Sequence, residues 1–210
     1  RLRKVPGVTT AGLVTSMPNR QPTGRFAYDP VVAADPASEP WTMKLAEVRM
    51  ASEGFVEAMG IPLLEGRLFG AGDRDTAEPV IVISRALADM HFPDGRAVGQ
   101  MLYSQSGDRR VVGVVGDVRP ATTTALQYDP SAYVPLRQAQ DVFRQFSTMH
   151  IVVHGRAGEA IVGQARAIVR AIDPELPLFN VRTLESEVAE LVAGPRFTAT
   201  VLGLFALVAL

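Results

Sequence analysis

The sequence predicts a mixed fold of the α+β class, in which two βα-type halves are separated by an inserted mixed α/β stretch. Three observations predict it. Short runs rich in β-branched residues alternate with stretches of helical periodicity along most of the chain. The order helix end, proline-containing turn, strand in RKVPGVTTAGLV near the start returns late in AIVRAIDPELPLFNV. The 210 residues are 47% hydrophobic and 20% charged, a globular composition with enough chain to bury a sizeable core.

The elements follow in order. RLRK reads as the basic end of a helix, broken by Pro6-Gly7, and residues 8–17 form a strand. Residues 18–40, heavy in Pro, Asp, Gly and Ser, read as an exposed excursion. KLAEVRM (44–50) alternates polar and apolar residues, as a half-buried strand does. Ser52 is placed to cap a short helix that Gly60 ends and Pro62 prevents from continuing. Residues 80–83 form a buried strand, and Ser84 caps the helix RALADMHF, stopped by Pro93-Asp94-Gly95.

Residues 100–104 and 111–118 pair as a hairpin around Gly107-Asp108. Residues 133–136 are expected on a sheet edge, because Pro135 cannot donate to a ladder. MHIVVHG (149–155) is a strand, followed by a helix over 159–173 with Ile161, Ala165, Ile168 and Ile172 on one face. Asp173-Pro174 ends that helix, and LPLFNVRT (176–183) is expected to be the next strand.

The last part is a helix followed by an apolar run. Over 184–193, Leu184, Val188, Leu191 and Val192 share one face, and Glu185, Glu187 and Glu190 mark the other. Gly194-Pro195 interrupts, Arg196 supplies one charge, and the 14 residues Phe197 to Leu210 carry none. As a helix these would reach about 21 Å, against a hydrocarbon core of about 30 Å. A run with no polar face is unlike a soluble amphipathic helix and reads as the beginning of a membrane span, with a wholly buried terminal helix as the alternative. The chain thus reads as cut at both ends, with residues 1–18 and 146–194 forming the split subdomain, 19–145 the insertion and 195–210 the start of a transmembrane helix.

The chemistry-bearing residues give no catalytic signature. The formal net charge is -1, and lysine occurs only at Lys4 and Lys44, so nothing proposes a nucleic-acid surface. The absence of cysteine excludes disulfides, thiolate metal sites and a cysteine nucleophile. No phosphate-binding G-x-x-x-x-G-K-[ST] loop occurs. VVGVVGDVR (111–119) has glycines and an aspartate near a strand but lacks G-x-G-x-x-G spacing, and reads as a core strand leaving through Gly116-Asp117.

His150 and His154 flank IVV; on a strand they would stand about 13 Å apart, too far to share a zinc ion. His91 reads as a packed helix-end residue. Ser16, Ser84 and Ser104 sit in no G-x-S-x-G elbow, and Glu65, Asp73, Asp75 and Asp117 have no spacing that pairs them. The reading is therefore that the chain is not an enzyme.

Six stretches in order carry a resemblance: MGIPLLEGRLF (59–69), VIVISRALADMHFP (80–93), VVGVVGDVR (111–119), YVPL (133–136), AIDPELPLFNVRTLE (171–185) and PRFTATVLGLFALVAL (195–210). Together they resemble the extracytoplasmic core domain of MacB/FtsX-type ABC transporter permeases, with the acidobacterial-type branch the nearest likeness. DGRAVGQ (94–100) departs from the family pattern in lacking a proline and a lysine.

The resemblance implies a domain on the periplasmic side of the bacterial inner membrane, between the first and second membrane helices. It implies a porter-like split βα subdomain carrying an inserted mixed α/β subdomain, and a sheet with one vacant strand place. ATP would be bound by a separate cytoplasmic nucleotide-binding domain or subunit, with no cofactor in this domain. The implied partners are that ATPase, a second permease copy in a dimer, a periplasmic adaptor and the membrane. The implied function is non-catalytic transmission of ATP-driven motion to a periplasmic substrate or partner. Arg182, Glu185, Gly194, Pro195 and Arg196 would form the mechanical coupling at the membrane joint. The alternative reading is a membrane-anchored extracytoplasmic binding or sensor domain with no transport role.

Overall fold

The computed structural model describes residues 2–17, 28–32, 44–104, 107–118, 130–139, 148–156 and 160–186. Among the described residues nine strands pair in one curled mixed sheet: β1 (Val8–Val14), β2 (Tyr28–Val32), β3 (Lys44–Ala51), β4 (Leu63–Gly66), β5 (Val80–Ser84), β6 (Met101–Ser104), β7 (Arg109–Val115), β8 (Ser131–Pro135) and β9 (His150–Gly155). Helices α1 (Phe55–Ala58), α2 (Arg85–His91) and α3 (Ala160–Arg170) accompany them.

Six strands close on themselves in the order β2–β6–β7–β5–β8–β3 and back to β2. The closing strand β3 pairs with β8 in parallel on one edge; its other edge is shared by β2, at residues 44–47, and by β1, at Ala51. Closure removes the free edges that an open sheet would expose.

Alternation divides the side chains between two cores. Ala46 and Met50, Ile81 and Ile83, Leu102, Val111 and Val114, and Ala132 and Val134 form one cluster with Leu87 and Ala88 of α2. The opposite faces of β5 and β8 contribute Val80, Val82 and Tyr133 to a second cluster with Val14, Phe55, Val56, Val115 and Val152. That second cluster joins the ring to β1 and β9.

The seam between the ring and the β1–β9 pair is short. β1 meets β3 at one registered position, Val14 opposite Ala51. Around it, the Ser52 N–H donates to the Leu13 carbonyl at 2.9 Å, and the Leu13 N–H donates to the Ser52 hydroxyl at 2.8 Å. Ser52 therefore ties two strands together instead of capping α1, whose N-cap is Gly54 at φ 81 with no side-chain cap bond. Gly12 is required at this seam: a Cβ there would lie 2.3 Å from the Phe55 Cα, so α1 can pack this closely only on a glycine.

Several expectations hold: β1, β3, β5, the β6–β7 pair and β9 lie where the pattern placed them, and the Ser84 hydroxyl accepts from the Leu87 N–H at 3.3 Å. Others are corrected. β8 is a fully buried strand between β3 and β5, not an edge. Pro135 is its last residue, and β5 pairs only with Ala132 and Tyr133, so the missing N–H interrupts no ladder there. Within the supposed excursion, β2 pairs with both β3 and β6.

β4 is a strand that the pattern did not suggest, short and exposed along its length. Its close approach to β7 depends on Gly113, where a Cβ would lie 2.2 Å from the Arg67 carbonyl oxygen. Residues 176–183 form no strand. Their β-type composition suits a pleated surface, but a strand exists only by pairing, and among the described residues nothing pairs with them. The subdomain boundaries at 18/19 and 145/146, and the expected membrane segment 195–210, lie outside the described residues.

Candidate functional site

Two regions concentrate the features that could serve function: a buried polar network on the ring, and the groove and exit segment on the β1–β9–α3 side.

The network begins on β3, whose Glu47 and Arg49 lie on one face at strand spacing. Arg49 is 1% exposed and Glu47 4%. The Arg49 guanidinium contacts the Glu47 carboxylate and donates to the Ser131 hydroxyl at 3.1 Å. The Ser84 hydroxyl accepts from the Ser131 N–H at 3.0 Å as well as capping α2. The Asp117 carboxylate accepts from the Ala86 N–H at 2.8 Å, a second cap on the first turn of α2. Burial pushes the Tyr133 phenol above its ordinary value; Arg49 opposes the shift, and Glu47 and Asp117 add to it.

The network therefore holds a neutral phenol, a paired guanidinium and helix-capping oxygens. It fixes β3, β8 and α2 against one another. The alternation in KLAEVRM predicts a half-buried strand, whereas Glu47 and Arg49 are both buried; the opposite-charge pair at i, i+2 is the sequence signal for this, because it can neutralise itself when both faces of the strand are covered.

The other residues weighed as chemical candidates fall into separate roles. Arg67 clasps Asp73 with two bonds, at 2.7 and 2.8 Å, and the Gly70 N–H donates to the same carboxylate at 2.8 Å. The Arg67 hydrogen bond holds the Asp73 carboxyl below its usual value, against the opposing effect of burial, and the pairing raises Arg67 in turn. The Asp75 carboxylate accepts from the Thr76 N–H at 3.0 Å, and Glu65 is exposed on β4. His150 and His154 lie on β9 opposite Val14 and Thr10, and His91 sits edge-on to Phe92. Among the described residues, no group of three or more His, Asp or Glu side chains could hold a metal ion.

On the other side, a groove of about 710 Å³ runs between the β1–β9 sheet, α3 and the ring. Its apolar walls include Leu13, Phe69, Leu136, Ile151, Ile168 and Ile172. Arg137 and Glu53 approach to 3.8 Å at its rim, and Arg3 donates to the carbonyls of Ala11 (3.1 Å) and Glu53.

Beyond α3 the chain is unusually apolar on its surface. Ile172, Leu176, Phe179, Val181 and Leu184 are all exposed, Ile172 and Phe179 by about two thirds of their surface (66% and 64%). Ile172 was expected on the packed face of the helix; the helix ends at Arg170, two residues short of it. Of the expected coupling residues, Arg182 and Glu185 lie on this exit segment. The Arg182 Nε donates to the Asn180 side chain at 2.8 Å, with Asn180 in the left-handed region at φ 57. Thr183 caps the next helical turn, accepting from the Ser186 N–H at 3.1 Å, and Glu185 is exposed in that turn. Gly194, Pro195 and Arg196 lie outside the described residues. Asn180 and Thr183 were not singled out from sequence, although N-x-x-T before a helical run is a recognisable stop-and-cap pattern.

Comparison with known proteins places this geometry. The family model described as MacB-like periplasmic core domain matches residues 4–174. Among solved structures, the chain is similar to the periplasmic region of MacB from Actinobacillus actinomycetemcomitans, with a TM-score of 0.55 and 18% identity over 81% of this chain and 70% of that one. It is also similar to the extracellular domain of the noncanonical ABC-type transporter YknZ from Gram-positive bacteria, with a TM-score of 0.57 and 13% identity over 87% of this chain and 85% of that one. At these identities the likeness is one of fold. No curated protein matched the chain in sequence.

Proposed function

This chain belongs to the family of MacB-like periplasmic core domains, and from that premise we propose that it is the extracytoplasmic, force-transmitting part of an ABC transporter permease. The observation that carries the reading is the extent of the family match: residues 4–174 span both the β1–β9–α3 unit and the whole ring. In this reading the domain performs no chemistry and holds no cofactor. ATP is hydrolysed by a cytoplasmic ATPase domain or subunit, and a second permease copy and a periplasmic adaptor are the partners outside it.

The ring suits a body that moves as a unit, because its strands leave no free edge and its polar network is buried. The exit segment suits a link. Arg182, the capping Thr183 and Glu185 lie at the start of a helical turn over 184–186, and in this reading Gly194, Pro195 and Arg196, outside the described residues, form the expected joint with the membrane span. A helix joined to a span through a Gly-Pro break transmits displacement at a set angle.

The open edge of β9 is read as the vacant strand place. Among the described residues β9 pairs only with β1, and HIVVHG contains no proline and no Lys, Arg, Asp or Glu to blunt an edge. A strand seated there would also give segment 176–183, which forms no strand here, a sheet to join.

Membrane partitioning of the full gene product tests the proposal. Expected is resistance to alkaline extraction, with protease cleaving in residues 18–40 only from the outer side. A product released as soluble protein would overturn it.

A further inference from the structure

We draw no further inference here: the strongest candidate, the apolar groove of about 710 Å³ between the β1–β9 sheet, α3 and the ring, carries nothing because nothing in the structure shows what covers it.

Discussion

The ring and the β1–β9–α3 unit share one sheet but solve the edge problem in opposite ways. In the ring, every strand of the circuit has a neighbour on both sides, and both faces of β5 and β8 are buried. Among the described residues β9 is paired on one side only, Ala165 is the one buried residue of α3, and five large apolar side chains stand exposed just beyond that helix. A self-sufficient body can tolerate a buried ion pair, because its neighbours hold the partners in place. A unit whose described residues leave an edge strand and large apolar side chains exposed is suited to further pairing. Under the proposed function, the first would carry the load and the second would join the machinery.

The comparison can be broken first at the ring's ion pair. Arg49→Ala leaves the Glu47 carboxylate buried without its guanidinium and is expected to cost about 3–5 kcal/mol in urea unfolding. The double change Glu47→Leu with Arg49→Met should recover most of that loss. If Arg49→Ala proves neutral, the pair contributes nothing to the ring's integrity.

A smaller effect tests the seam. Gly12→Ala drives a methyl group into the Phe55 backbone, and a loss of about 1–3 kcal/mol is expected from overpacking. Hydrogen exchange should locate the loosening in β1 and β9, with β5 and β8 still protected. Uniform loss of protection would show that the ring and the β1–β9–α3 unit unfold as one.

The smallest effect concerns the loop that forms one wall of the groove. Asp73→Asn removes the clasp to Arg67, which is half exposed, so less than about 1 kcal/mol is at stake. The pH dependence carries the sign. Because the folded carboxyl lies below its ordinary value of 3.8, its stabilising contribution is complete above that value and is lost as the pH falls through the depressed folded value. The wild-type chain should lose stability in that acid window, and Asp73→Asn should lose less. Identical acid limbs for the two would remove the clasp from the account.

Much of the fold was legible because the ring's strands announce themselves locally. Residues 80–83 are apolar on both faces, Ser84 caps the helix that follows, and Gly107-Asp108 separates two strands that pair. What was misread depended on tertiary partners. Pro135 suggests an edge until one sees that it ends β8. Residues 28–32 look like loop until β3 and β6 provide edges on both sides. LPLFNVRT has a strand's composition and no partner among the described residues, so no strand forms.

The site was less legible than the fold. Arg182 and Glu185 came from the position of the membrane joint, whereas the Glu47–Arg49 network needed knowledge that both faces of β3 are covered. Periodicity cannot supply that, since a charge on a strand reads as solvent-facing until something is packed over it.

The most direct test of the central claim uses the chain's lack of cysteine. Arg170 and Asp94 are exposed, one on the β1–β9–α3 unit and one beside the ring, and each can be replaced by cysteine in an otherwise cysteine-free full-length protein. The account predicts that a membrane-impermeant maleimide added to intact cells, with the outer membrane made permeable where there is one, labels both positions. Labelling of either position only after the inner membrane is opened would place the domain in the cytoplasm and contradict the account.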